Sequence, residues 1–311
     1  MERNPQLRHL IAGAQLSLDM IDNWRGIIFD EYLFLESFLP DDHLWKKNKL
    51  AHAQHCEQEI FELSDLLGLD GVESCLFAFL MFSHDIGRFV EARRKENQEP
   101  APWPHGKDSA NVLRRCLDHY IPKESHTQRG EWHCRFLLWR AMLGAIEHHS
   151  DRQTPTLKEL GGDVVALALA GLLRDMDKRG NLTGGAERFV SDQAFKQLQI
   201  KTHFVTERKT DPTWGDEKRA IVPESLLSQF AQRQTLKWPE CQSYEAYALQ
   251  FLAWIFDFNN QDILELTMRE GGPRTLMSYL TDQLAADNPQ QLQLIRDTLF
   301  SFEADLWGDV C

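Results

Sequence analysis

The sequence predicts an all-α protein, a helical bundle with helical extensions at its N- and C-terminal ends. Apolar residues recur at spacings of three and four along most of the 311 residues, which is typical of amphipathic helices. Segments that alternate apolar and polar residues over the length of a strand are scarce. Turn signals rich in Gly and Pro separate the helical stretches, as at 98–106 and 180–185.

The individual elements follow from this pattern in chain order. Helices are predicted at residues 6–21, 25–38, 43–68, 72–91, 106–120, 130–149, 157–178, 186–199, 242–259, 262–269 and 273–305, the last one broken near Asn288 and Pro289. The polar segment 200–222 is predicted to form a long ordered loop or a lid. Because no boundary divides the chain, a single domain over residues 1–311 is expected.

Composition and charge exclude several classes of function. The net charge of −13 argues against binding to extended nucleic acid, although a local basic pocket for a small phosphorylated molecule is compatible with it. The six cysteines are scattered without a CxxC pair, which indicates reduced thiols. No apolar run reaches membrane-spanning length and the N-terminus has no signal-peptide pattern, so no membrane association and a cytoplasmic location are expected.

His84 and Asp85 end a strongly apolar run, LFAFLMFSHDIGRF, that begins at Leu76. Adjacent helical residues point about 100° apart, so both side chains can reach one metal ion only near the end of a helix. Gly87 lets the chain turn closely around such a centre. The alternative interpretation is a structural carboxylate paired with Arg88 beside a partly buried histidine.

His52 lies on the apolar face of its predicted helix, together with positions 56, 60, 63 and 67. His55 shares the wetter face with two glutamates. The pattern therefore predicts that His52 points inward and His55 outward. A histidine on an apolar face is also compatible with a satisfied core position, so His52 alone does not define a site.

Three further histidines stand at predicted junctions of loops and helices. His105 follows a proline-rich loop and precedes a helix, where it could be a simple turn residue. His148 and His149 end a helix, where they could cap carbonyl groups and oppose the helix dipole. Trp103, two residues before His105, could cover a metal site and stack a base.

Asp175 and Asp177 are predicted at the C-terminal end of an apolar helix. Acidic residues are unfavourable there because they oppose the helix dipole, and a bound cation would compensate. Imidazoles and carboxylates thus come from four or five helices, a mixture that suits Mn, Fe, Ni, Zn or, less well, Mg. The sequence predicts one or two divalent metal ions.

The order His52, His84–Asp85, Asp177 resembles the HD-domain superfamily of metal-dependent phosphohydrolases. HDIGRF, the downstream histidines, RDMDK and WIFDFN resemble one bacterial branch of it, over residues of about 45–285. The resemblance implies a compact helical bundle with the metal in its centre. The helices of residues 1–44 and 286–311 would then pack on this core.

The resemblance also implies roles for single residues. His52, His84, Asp85 and Asp177 would be the core ligands, and Asp177 is preferred to Asp175 because it directly precedes a lysine, as the final aspartate of the family commonly does. His105 and His149, or His148 in its place, match positions that bind a second ion in two-metal members of the superfamily, where Asp85 would be the bridge.

The implied activity is hydrolysis of a phosphoester bond in a nucleotide or another small phosphorylated molecule by metal-activated water. The catalytic candidates are Asp85, Arg88 and Lys178. The two cations among them would neutralise the charge that develops on the phosphoryl oxygens. After Lys178, RGN departs from the branch, which affects the residues expected on the substrate side. The alternatives are a di-iron oxygenase on the same ligand positions and a non-catalytic binding or signalling module.

Overall fold

A computed structural model describes residues 5–41, 43–97, 99, 105–118, 129–150, 154–192, 222–236 and 243–308. Within these residues the secondary structure is helical and contains no strand, so the all-α prediction is confirmed. The described part of the chain contains no helix that combines the length and the apolar character needed to cross a bilayer. The chain divides into two compact units, Met1–Asp177 and Lys178–Cys311. The expectation of a single domain stays a prediction.

The helices of the first unit and the short junctions that follow them carry every predicted metal ligand. They are α1 (Pro5–Ala14), α2 (Leu18–Glu36), α3 (Leu44–Glu62), α4 (Ser64–Leu67), α5 (Gly71–Ser83), α6 (Gly87–Glu96), α7 (His105–Leu117), α8 (Arg129–His148) and α9 (Val164–Gly180), of which α9 belongs to this unit up to Asp177. Helix α3 packs on α5, α6 on α7, and α7 on α8.

Helix α5 is the buried centre of the first unit. A capping box of Asp70 and Glu73 begins it, and every residue from Leu76 to Ser83 is buried. The predicted helix 72–91 is divided into two helices, since α5 ends at Ser83 and α6 begins at Gly87. The hydroxyl group of Tyr32 donates a 2.9 Å hydrogen bond to the carbonyl oxygen of Phe82, which satisfies one of the terminal carbonyls of α5.

Two glycines allow the helix ends to approach closely. A Cβ atom at Gly87 would overlap the backbone of His105, and one at Gly106 would overlap the backbone at Glu147. The Gly87 amide donates a 2.8 Å hydrogen bond to the hydroxyl group of Ser109 on α7. The start of α6, the start of α7 and the end of α8 are thereby held in direct contact.

The second unit has its own apolar core. Its elements are a π-helical turn (Asn181–Gly185), α10 (Ala186–Ser191), helices Glu224–Ala231 and Tyr244–Ala253, a 3₁₀ turn (Trp254–Asp257), and helices Gln261–Arg269, Gly272–Leu284 and Pro289–Trp307. Phe189 stacks on Tyr247 with 5.2 Å between ring centroids. The predicted break near Pro289 is present, whereas the helix Glu224–Ala231 was missed. The predicted loop or lid at 200–222 lies outside the described residues except for Val222.

Candidate metal centre

Four imidazoles and two carboxylates from different helices meet in the first unit. They come from α3, the α5–α6 junction, the start of α7, the residue after α8, and α9: His52, His84, Asp85, His105, His149 and Asp177. Neighbouring imidazoles lie within 5.0 to 5.7 Å between ring centroids, in the order His52, His84, His149, His105. Two sets have all their ligand atoms within 4.8 Å of one another.

The first set, here called the outer group, consists of His52, His84 and Asp85. Asp177 borders it, because its Oδ1 atom lies 3.0 Å from Nε2 of His52 and 3.5 Å from Nε2 of His84. The side chains of His52 and Asp177 retain 15% and 29% of their exposure, so this group is open on one side. Cys56, a buried thiol one turn further along α3, lies 3.6 Å from Nε2 of His52.

The second set, here called the inner group, consists of Asp85, His105 and His149. The side chain of His149 is fully buried and that of His105 is 10% exposed. Their Nε2 atoms lie 3.8 Å and 3.4 Å from Oδ1 of Asp85. The inner group therefore has much less contact with solvent than the outer group.

Asp85 belongs to both groups and presents a different oxygen to each. Its Oδ2 atom lies 3.8 Å from Nε2 of His84, on the outer side. Its Oδ1 atom faces the inner imidazoles, and its side chain is only 3% exposed. A carboxylate with one oxygen toward each of two imidazole sets has the arrangement of a bridging ligand.

His84 and His149 are oriented by the same backbone contact. In each, Nδ1–H donates to the carbonyl oxygen three residues earlier, at 2.5 Å to Met81 and 2.6 Å to Ile146. Their Nε2 atoms are buried and have no hydrogen-bond partner among the described residues. A hydrogen-bonded Nδ1 with a deprotonated Nε2 is the usual form of a metal-binding histidine. This pair of unsatisfied buried nitrogen atoms shows that the residues fit a metal ion.

Burial and charge set the protonation of the other ligands. Burial lowers the pKa of His52, and burial together with Arg88 lowers the pKa of His105 well below its usual value, so both imidazoles are neutral at pH 7. For Asp85, burial is opposed and outweighed by Lys49 and His84, which hold its pKa well below the usual range. His52 and His105 thus offer neutral imidazoles and Asp85 an ionised carboxylate, the forms that bind metal.

For His84 and Asp177, neighbouring charges outweigh burial in setting the pKa, whereas burial dominates for His52. Burial lowers the pKa of His84, but the carboxylates of Asp85 and Asp177 outweigh it and the pKa is raised. Burial raises the pKa of Asp177, but His52 and His84 outweigh it and hold the pKa well below the usual range. Without a cation, this side of the centre therefore tends to retain a proton.

Two cationic side chains, Lys49 and Arg88, lie next to the shared carboxylate of Asp85. Lys49, one turn before His52 on α3, places its Nζ atom 2.5 Å from Oδ2 of Asp85. Arg88 places Nε 3.5 Å from Oδ1 of Asp85 and Nη1 2.9 Å from a carboxylate oxygen of Glu91. The sequence indicated Glu91 and Asp85 as possible ion-pair partners of Arg88, whereas Lys49 was not identified from it. The spacing of three between Lys49 and His52, which places both on one helical face, is the signal that could have indicated Lys49.

The other sequence-predicted residues have different outcomes. His148 is half-buried and belongs to neither group, whereas His149, its neighbour, does. Lys178 lies in the second unit, where its Nζ atom is 2.9 Å from Oδ2 of Asp257. The side chain of His55 is 46% exposed, in agreement with its predicted outward direction. Trp103 lies outside the described residues.

The dipole argument for Asp177 was wrong. Helix α9 does not end at Asp177 but at Gly180, and the π-helical turn Asn181–Gly185 and α10 follow without a break. The carbonyl groups near Asp177 are therefore not a free helix end. Asp177 reaches the centre because its side chain points toward His52 and His84, a placement that only the packing of α9 determines.

Comparison of the chain with protein-family models, with curated proteins and with solved structures finds no match to any of them.

Proposed function

We propose that the protein is a metal-dependent phosphohydrolase that holds two divalent ions on the outer and inner groups. The shared carboxylate of Asp85 carries this proposal, since its two oxygens face two separate sets of imidazoles. Two ions bridged by a carboxylate form a frequent arrangement in enzymes that hydrolyse phosphoesters. The resemblance to the HD-domain superfamily supports the same reaction class.

The surrounding residues suit an anionic substrate. A bound divalent ion would supply the Lewis acid that activates water and polarises a phosphoryl oxygen. Arg88 holds a permanent positive charge beside the centre, because Glu91 and Asp85 raise its pKa against the effect of burial. Its planar guanidinium group matches two phosphoryl oxygens. Lys178, the other cation that the sequence suggested, is paired with Asp257 within the second unit.

The open side of the outer group is the side on which we propose that a small phosphorylated molecule, such as a nucleotide, binds. His52 and Asp177 are the ligands that retain exposure. The inner group, which is nearly closed to solvent, would hold its ion as a fixed charge that orients the shared carboxylate. Asp85 would therefore position both ions, and its loss would remove both.

Phosphate release by the full-length protein tests the proposal. The protein is loaded with Mn²⁺ under anaerobic conditions and incubated with p-nitrophenyl phosphate, bis-p-nitrophenyl phosphate and a panel of nucleotides. We expect hydrolysis that Asp85→Asn abolishes and that Asp108→Asn retains. Asp108 is the matched control, because its carboxylate is also buried but is 2.5 Å from Arg94 and belongs to neither group.

The same experiment distinguishes phosphoester hydrolysis from the alternative chemistry of a di-iron oxygenase. Four imidazoles and two carboxylates also suit a pair of irons, which is the donor set of the alternative di-iron oxygenase. No hydrolysis with Mn²⁺, together with iron in the protein as isolated and an absorbance change under oxygen, would favour the oxygenase. Metal binding without either reaction would favour a binding or signalling module.

A further inference from the structure

We propose that Lys49 competes with the metal ion for the shared carboxylate and thereby sets the metal affinity of the outer group. The inference rests on the metal centre proposed above and concerns a residue outside its ligand set. It predicts that loss of the lysine tightens metal binding, which is the opposite of what the loss of a supporting residue does.

The contact that carries the inference is short and partly shielded from water. The ammonium group of Lys49 lies 2.5 Å from Oδ2 of Asp85, and the two side chains are 19% and 3% exposed. Oδ2 is also the oxygen on the side of His84, at 3.8 Å from its Nε2 atom. An ion bound by the outer group needs this oxygen, so the ammonium group and the ion compete for one acceptor.

Arg88 lies on the other oxygen of the same carboxylate but is held differently. Its Nη1 atom lies 2.9 Å from Glu91, its guanidinium group lies 5.8 Å from the ring centre of Trp45, and its distance to Asp85 is 3.5 Å. The longer distance to Asp85 makes Arg88 the weaker competitor, and its other contacts hold it in place.

Lys49 has only Asp85 as an ion-pair partner in the part of the chain that the structure describes. A lysine carries its charge on a flexible four-carbon stem, so Lys49 can leave the carboxylate without breaking another described ion pair. The competition therefore acts mainly on the outer group, where the ammonium group of Lys49 lies.

Removal of the ammonium group has two opposite consequences. Without a bound ion, the buried carboxylate of Asp85 loses its closest cationic partner, which destabilises the protein. With a bound ion, the carboxylate of Asp85 is paired with that ion and no ammonium group competes for it. A neutral residue at position 49 should therefore lower the melting temperature in chelator and increase the rise in melting temperature that Mn²⁺ produces.

Calorimetric titration of Mn²⁺ into the full-length protein tests the inference. Lys49→Met and Lys49→Gln should bind the outer ion about tenfold more tightly or better, since a unit charge at contact distance has a large effect in a partly buried site. Lys49→Gln retains an amide donor for Asp85 and serves if Lys49→Met does not fold. Lys49→Arg keeps the charge and should remain close to the wild type.

Lys46→Met is the matched control. It removes the same charge from the same helix, but Lys46 lies 2.8 Å from Asp41, a fully exposed carboxylate outside both groups. Its affinity for Mn²⁺ should equal that of the wild type. An equal increase in Lys46→Met would assign the effect to net charge and overturn the inference.

The outcomes also separate this inference from the proposed function. If the wild type binds Mn²⁺ and both neutral variants bind it equally or more weakly, the inference is wrong and the metal centre stands. If the wild type binds no divalent ion, the metal centre and the inference fail together. If affinities change as expected but no phosphoester is hydrolysed, the hydrolase proposal fails and the inference stands.

Discussion

The outer and inner groups share Asp85 but differ in exposure and in the cations that surround them. In the outer group, His52 and Asp177 retain some exposure, and Lys49 lies directly on the shared carboxylate. In the inner group, His149 is fully buried, and Arg88, the cation beside the inner oxygen Oδ1 of Asp85, is more distant at 3.5 Å. For the proposed pair of ions, this difference predicts that the outer ion exchanges more readily and that the inner ion is held more tightly.

The largest expected effect comes from the residue that both groups share. Asp85→Asn should abolish binding of both ions and reduce phosphate release by more than about a hundredfold, because even residues that only support metal ligands cost ~10- to 100-fold. Metal content and phosphate release are measured together, with Asp108→Asn as the control. Retention of one ion in Asp85→Asn would show that the carboxylate does not connect the groups.

The second effect concerns the glycines that bring the helix ends together. Gly87→Ala should destabilise the protein by about 1–3 kcal/mol because the added methyl group overlaps the backbone of His105. It should also weaken the inner group more than the outer group, because it displaces His105. Thermal denaturation and metal titration measure both.

Gly26→Ala is the matched control, since a Cβ atom at Gly26 in α2 meets no atom within 4 Å. It should stabilise the protein by roughly 0.5–1 kcal/mol, the ordinary benefit of alanine within a helix. Equal destabilisation by both substitutions would contradict the close approach at Gly87.

The third effect is a difference between His52 and His149. His52→Asn should remove the ion that a chelator extracts first, and His149→Asn should remove the ion that is extracted last. The reason is that the outer group has exposed ligands and a competing lysine. Time courses of metal loss into excess chelator measure this, and a single phase with the same rate in both variants would contradict the comparison.

A smaller effect concerns pH in the chelator-treated protein. The pKa of His105 is lowered well below 6.5 in the folded protein, so the unfolded chain binds its proton first as pH falls. The contribution of His105 to the free energy of unfolding should therefore decrease as the pH is lowered from 6.5. His105→Asn should remove this contribution, which amounts to a loss of roughly 1 kcal/mol between pH 6.5 and 5.5.

Urea denaturation of both proteins at the two pH values measures the difference. His84 acts in the opposite direction, because its raised pKa adds stability below pH 6.5 that is lost as pH rises through the folded value. Since His84 is present in both proteins, the difference between them isolates His105. An identical pH dependence in the two proteins would contradict the assigned burial.

The smallest effect is expected for His55, whose side chain is 46% exposed. His55→Gln should change stability by no more than about 0.5 kcal/mol and leave metal content unchanged, as is usual for surface substitutions. Loss of an ion in this variant would mean that the wrong histidine of α3 has been assigned to the outer group.

The sequence was sufficient for the features that depend on local periodicity. The helical class follows from the three- and four-residue spacing, and the direction of His52 follows from its apolar stripe, in which Cys56 and Ile60 are fully buried. The contrast with exposed His55 has the same origin. These features need no information about the partner helices.

The sequence was not sufficient for features that depend on contacts between distant residues. The break after Ser83 was missed because it is held by Tyr32 and Ser109, which lie 50 and 22 residues away from their bonded groups. The pairing of Lys49 with Asp85 spans 36 residues. Local patterns contain no information about which helices pack together, so these contacts became visible only in the folded structure.

The number of metal ions per chain tests the central claim most directly. Full-length protein is saturated with Mn²⁺, freed of excess ion and analysed for bound metal. Two ions on the outer and inner groups predict two equivalents in the wild type, one in His149→Asn and none in Asp85→Asn. One equivalent or none in the wild type, or two in His149→Asn, would contradict the claim that Asp85 joins two metal sites.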